Sequence, residues 1–239
     1  MITITITIRN VFKTFYCNII MKLMSSALSI MNLINIGFKY VIDTSQLYKI
    51  DESHAVKHSM EVYGFAKKIY ESEFKSNPYL EKQREIIYMA SIGHDMCDKK
   101  YMDEKQGILR YQEYLSGHMS PSDLEIMGQI IGTMSYSKVK VNGYPKLGEY
   151  QLAYHIVREA DLLSAYDIDR CIMYRMYNNS EKNITYSEAL VEAMDLFDYR
   201  VFKMRKDKLF VTNYAKRESL KLHKKAQKDV VSLSEILKK

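Results

Sequence analysis

Residues 2–8, ITITITI, alternate apolar and polar positions with a period of two, which predicts a short strand. The apolar stretch behind it is broken by Lys13 and Lys22. From Leu23 to Phe38 no residue is charged, but Ser25, Ser26, Ser29, Asn32 and Asn35 dilute the run, which falls short of a membrane span. Neither a membrane anchor nor a signal anchor is expected. Met21 is an alternative start, so residues 1–22 read as a dispensable N-terminal extension and residues 23–239 as a single domain.

From Ser53 the period changes to that of a helix. His58, Val62, Phe65, Ala66 and Ile69 share one face, with His54 one turn earlier. Asn77-Pro78 interrupts this helix, and a second is expected from about Leu80 through Ile86, Ile87, Met89, Ala90 and Ile92, delivering His94 and Asp95 at its end. A third segment covers roughly 105–116. Ser120 and Pro121 supply an N-cap and first-turn proline for a helix through Leu124, Met127 and Ile131. SYSKVKVNGYPKLG, with Asn142-Gly143 and Pro145, reads as a loop. A helix is expected from Glu149 to about Tyr177, and two more over 185–206 and 213–237. No repeat and no linker-like break divides the chain.

Composition narrows the class. Of 239 residues 47% are hydrophobic, enough for a sizeable core, while nine Gly and three Pro are too few for a turn-rich sandwich or barrel. The expectation is all-α. The net charge of +6 is spread along the chain, with only KMRKDK and KLHKK near the C-terminus locally basic, so nucleic acid is not an expected partner. Cys17, Cys97 and Cys171 are odd in number and widely spaced, which suggests neither a disulfide framework nor a thiolate zinc site. A reducing, cytoplasmic compartment fits best.

Three sites carry candidate chemistry: His58, the adjacent His94 and Asp95, and Asp161 on a largely apolar stretch. A single histidine in such a context is more often a hydrogen-bonded core group than a ligand. Imidazole nitrogen and carboxylate oxygen together suit divalent ions and commonly leave positions open for water and substrate.

The ordered set resembles the HD superfamily of metal-dependent phosphohydrolases, whose pattern is a His, an adjacent His-Asp pair and a distant Asp on separate helices. DESHAVKHSMEV resembles the first His helix of small stand-alone members, and GHDMCDKKY resembles their HD-x-x-D-x-K segment. IIGTMSYSKV and VREADLLSAYDIDR resemble the stretch leading to the last Asp. The similarity covers roughly residues 45–180. It implies an HD-type helical bundle with C-terminal helices, and one divalent ion (Mn, Mg, Fe, Co, Ni or Zn) held by His58, His94, Asp95 and Asp161. It further implies a small phosphate ester as partner, with neither nucleic acid nor a membrane expected and a homodimer left open. The implied reaction is hydrolysis of a nucleotide phosphoester or phosphoanhydride, with nucleoside or deoxynucleoside triphosphate to monophosphate and pyrophosphate as the leading case.

By the same resemblance Asp95 would orient the attacking water, Lys100 would stabilise phosphate charge with Asp98 steering it, and His54 would touch phosphate or donate a proton to the leaving group. An exposed Lys–Asp pair is the plainer reading of Lys100 and Asp98. Two departures stand out: Leu162 takes the place of an Arg and Ser164 that of an Asp in the family pattern. Gly93, where relatives carry a bulkier apolar residue, is expected to loosen the helix end.

Two alternatives follow. One is a nucleotide- or metal-binding regulatory module without turnover, on account of Leu162 and Ser164. The other is a di-iron oxygenase of the same fold using His118 and His155. Against it, His118 falls in an expected loop, and His155 lies about 120° around the helix from Asp161 at about 100° per residue. Cys97 reads as packing and His223 as a solvated residue of a basic helix.

Overall fold

The computed structural model describes residues 27–178 and 184–237. The alternating stretch 2–8 and Met21 lie outside them. Chain contacts define two units, residues 1–36 and 37–239. In the first, residues 27–36 are helical. No strand occurs among the described residues, which are all-α as the composition implies. No described helix is long and apolar enough to cross a membrane.

The second unit opens with α1 (37–48) and α2 (Val56–Phe74), followed by α3 (Arg84–Gly93), α4 (Glu104–Leu115), α5 (Pro121–Thr133) and α6 (Tyr136–Asn142). After these come α7 (Gln151–Ser164), α8 (Ile168–Asn178), α9 (Tyr186–Tyr199) and α10 (Asn213–Ile236). Helix α3 is buried on every side from Ile86 to Gly93, because it is apolar all round and packs against α2, α5 and α7. Ile86, Ile87, Met89 and Ile92 are fully buried, each contributing about 1.5–3 kcal/mol relative to an exposed position. This central helix carries the His-Asp pair at its C-terminal end.

Gly93 is a packing requirement. A Cβ there would stand 2.2 Å from Cε1 of Tyr111, a fully buried ring whose hydroxyl donates to the Met89 carbonyl at 2.9 Å. The glycine lets Tyr111 close over the helix, which then tightens into a 3-10 turn at His94–Cys97. The expected loosening is thus a close approach.

Several expectations need correction, among them the single helix over 185–206, where α9 ends at Tyr199 and a separate 3-10 turn follows at Val201–Lys203. Helix α2 begins at Val56, so Ser53 and His54 lie in the preceding turn. The Asp51 side chain accepts from the Ser53 amide at 3.0 Å and the Asp51 carbonyl from the His54 amide at 2.9 Å, a side-chain turn that competes with helix. The expected loop after α5 contains α6, capped by Ser135 and ended by Gly143 at φ 73°. None of its seven residues is buried, which is why no apolar period announces it.

The long helix expected over 149–177 is two helices. The chain turns at 165–167, where Asp167 Oδ1 accepts from the Arg170 amide at 3.3 Å and starts α8. His223 is half-buried between the Tyr166 and Phe202 rings, not solvated, and burial lowers its pKa.

Two buried charges fix α7 against the start of α10. The fully buried Glu159 carboxylate accepts from the Val211 amide at 2.5 Å, the Thr212 amide at 3.1 Å and the Thr212 hydroxyl at 2.6 Å. The Arg158 guanidinium donates to Glu159 and to the Leu209 carbonyl.

Candidate metal centre

Helices α2, α3 and α7 pack against one another, so the residues that follow each apolar face inward converge. His58 continues the buried face of Val62, Ala66 and Ile69 on α2. His94 and Asp95 follow α3, and Asp161 comes from the last turn of α7.

The ligand atoms of His58, His94 and Asp95 all lie within 4.8 Å of one another. The two Nε2 atoms are 3.3 Å apart, and Asp95 turns Oδ2 to His58 at 3.1 Å and Oδ1 to His94 at 3.4 Å. Asp161 Oδ1 lies 3.6 Å from His58 Nε2 and 3.7 Å from His94 Nε2. Ligands about 2.1 Å from one ion stand about 3.0–3.4 Å apart at right or tetrahedral angles, so this spacing fits a shared centre.

Two further observations test the fit. His94 Nδ1 is 3.0 Å from the Ser91 carbonyl, an acceptor, so Nδ1 carries the proton and Nε2 offers its lone pair to the cluster. Asp95 Oδ2 is buried with no well-directed hydrogen bond, its approach to His58 Nε2 at 3.1 Å being the contact a shared cation would strengthen. His58, His94 and Asp95 could hold a divalent ion, with Asp161 Oδ1 within 3.7 Å of both imidazoles.

The electrostatics agree. Burial opposes charge on His94, yet the Asp95 and Asp161 carboxylates and the Ser91 carbonyl carry its pKa up to about 9. Burial likewise opposes charge on the two acids, but the surrounding imidazoles hold Asp95 and Asp161 below the usual carboxylate range. The cluster concentrates negative charge and draws positive charge, whether protons or a metal ion.

A cavity of about 240 Å³ opens beside the cluster, its wall including His94, Asp95, Asp161, Lys100, Arg170 and Tyr136. Lys100 Nζ lies 3.1 Å from His54 Nε2, 3.5 Å from Asp98 Oδ2 and 5.0 Å from the centre of the Tyr174 ring. Asp98 Oδ1 also accepts from the Lys100 amide at 2.9 Å, so this pair is fixed locally at two points. The structure therefore brings His54, Lys100 and Asp98 together at the edge of the same cavity.

Arg170, Tyr174, Asp51 and Tyr101 are absent from the sequence-based site. Arg170 Nη1 lies 3.1 and 3.3 Å from the two ring nitrogens of His58 and 3.2 Å from the Ser53 carbonyl. On one continuous helix Arg170 would fall nine residues from Asp161, about half a turn off its face at about 100° per residue. The turn at Asp167 removes that objection and is the signal that would have exposed it.

Leu162 and Ser164 are buried, and neither belongs to the wall of this cavity. The Ser164 hydroxyl donates to the Asp161 carbonyl at 2.8 Å. His118 is exposed in the turn after α4. His155 is buried against the Tyr144 and Tyr154 rings, and burial together with Arg158 lowers its pKa to about 4. Cys97 is buried, which pushes its thiol up to about 12 and makes it a poor nucleophile.

Comparison of the chain with protein-family models, with curated proteins and with solved structures finds no match.

Proposed function

We propose that this chain is a metal-dependent phosphohydrolase acting on a nucleotide phosphoester or phosphoanhydride. The observation that carries the reading is the convergence of the ligand atoms of His58, His94 and Asp95, with Asp161 Oδ1 3.6 Å from His58 Nε2, on a cavity edged by Lys100 and Arg170. The ordered resemblance to the HD superfamily supports it and suggests a nucleoside triphosphate, cleaved to monophosphate and pyrophosphate, as the first substrate to try.

His58, His94, Asp95 and Asp161 would hold the ion, which when bound acidifies water and polarises a phosphoryl oxygen. Asp95, with both oxygens turned to the cluster, orients the attacking water. Lys100 and Arg170 place fixed positive charge where a phosphate would lie, and preorganised charge of this kind needs no rearrangement as negative charge develops. The small cavity holds the reacting group at one place beside the cluster.

Binding without turnover is the competing reading, motivated by Leu162 and Ser164. Neither lines the cavity wall, where the groups proposed to meet substrate stand. The test is release of phosphate and pyrophosphate from a panel of nucleoside triphosphates, monophosphates and cyclic nucleotides with Mn²⁺, comparing wild type with Asp95→Ala at matched helical content. Release by wild type alone supports the hydrolase. Metal binding with no product from any substrate moves the assignment to a binding module.

A further inference from the structure

Asp51 and Tyr101 stand 50 residues apart in the chain and meet at His54. The Tyr101 hydroxyl donates to Asp51 Oδ2 at 2.5 Å, and its oxygen lies 3.2 Å from His54 Nδ1. The Ser53 hydroxyl donates to Asp51 Oδ1, and its oxygen lies 2.7 Å from the same Nδ1. Burial opposes charge on Asp51, but these donors and His54 hold it below the usual carboxylate range, so it is an acceptor only.

Both hydroxyl protons therefore point to Asp51, and both hydroxyl oxygens present lone pairs to Nδ1. A ring nitrogen facing two acceptors carries the imidazole proton. His54 Nε2 is left with its lone pair, and opposite it at 3.1 Å is Lys100 Nζ, which can only donate. The chain from carboxylate through hydroxyls and imidazole to ammonium is consistent at every donor and acceptor.

We propose that Asp51 and Tyr101 are positioning residues that hold His54 as its Nδ1–H tautomer, so that Nε2 fixes the Lys100 ammonium at the cavity beside Asp95. His54 then acts through Lys100. The role of Lys100 toward a phosphate rests on the phosphohydrolase reading; the tautomer does not. Neither Asp51 nor Tyr101 belongs to the proposed ligand set, and Asp51 lies in the turn before α2.

The test uses the full chain with Mg²⁺ and long-range proton–nitrogen spectra of the histidines, with the His54 signals assigned by their loss in His54→Gln. Wild type is expected to show His54 protonated at Nδ1. In Asp51→Asn a carboxamide can donate to the hydroxyls, and the signals are expected to move toward the Nε2–H form. Tyr101→Phe should produce a smaller movement in the same direction, and it carries the test if Asp51→Asn does not fold. An Nε2–H wild type, or variants with unmoved His54 signals, overturns the proposal.

Turnover supplies the second arm. Asp51→Asn should lower kcat/KM about tenfold, and the same change in a Lys100→Ala background should lower it no further, as expected when one residue acts through another. Additive losses in the double variant would overturn the proposed route through Lys100. If wild type hydrolyses nothing, the phosphohydrolase reading fails, and the spectra alone decide whether Asp51 and Tyr101 set the tautomer.

Discussion

The Nε2 atoms of His58 and His94 face each other 3.3 Å apart across the point that Asp95 and Asp161 close from the other sides. Two neutral imidazoles can share one N–H···N bond at this distance, and two ligands of one ion are held at the same separation. Binding of a divalent ion should therefore stabilise the fold. At about 100 times Kd the gain is about 2.7 kcal/mol. For a chain of this size that raises Tm by roughly 5–10 °C. Thermal melts with Mn²⁺ and with chelator measure it, and His94→Ala should lose most of the shift.

Gly93→Ala should destabilise the fold by about 1–3 kcal/mol, since the new methyl collides with the Tyr111 ring on a side where nothing is free to move. Denaturant titration reads the loss. In a Tyr111→Leu background the cost should shrink, and equal costs in both backgrounds would dissociate Gly93 from Tyr111.

Glu159→Ala should cost about 3–5 kcal/mol, because it leaves the Arg158 guanidinium buried beside an absent partner and strips the acceptor from the start of α10. The same measurement on Lys39→Ala, whose pair with Asp43 is exposed, should show little change.

His155 gives a pH signature. Its folded pKa is lowered to about 4, so between that value and about 6.5 the unfolded chain binds a proton that the folded chain refuses. Stability contributed at this position is complete above about 6.5 and declines as pH falls toward 4. Unfolding measured from pH 7.5 down to 4.5 should fall less steeply in His155→Gln than in wild type. Parallel curves would remove His155 from the account.

Much of this architecture was legible in the chain. Helices α2 and α5 bury apolar residues at helical spacing, α3 is a short run buried throughout, and the Ser120-Pro121 start of α5 is capped as its residues predict. His58 and Asp161 stand out because each interrupts an apolar face, and a charged or titratable group there needs a partner. Three features were hidden for physical reasons. The Asp51 turn uses a side chain in place of a backbone partner, so periodicity carries the helix back to Ser53. Helix α6 buries nothing and leaves no pattern. The turn at 165–167 lies between two apolar stretches that join smoothly on paper, which concealed Arg170 and Tyr174. Gly93 was misread because its reason, the Tyr111 ring, lies 18 residues away across a helix packing that no local pattern reports.

The most direct test strips the protein with chelator and restores Mn²⁺ stepwise while nucleotide hydrolysis and bound metal are followed together. Turnover should be absent from the stripped protein, rise in proportion to bound ion and level off at one ion per chain, with Asp95→Ala inactive throughout. Hydrolysis that persists in chelator, or an active Asp95→Ala protein, would contradict the assignment of His58, His94, Asp95 and Asp161 as the centre of the reaction.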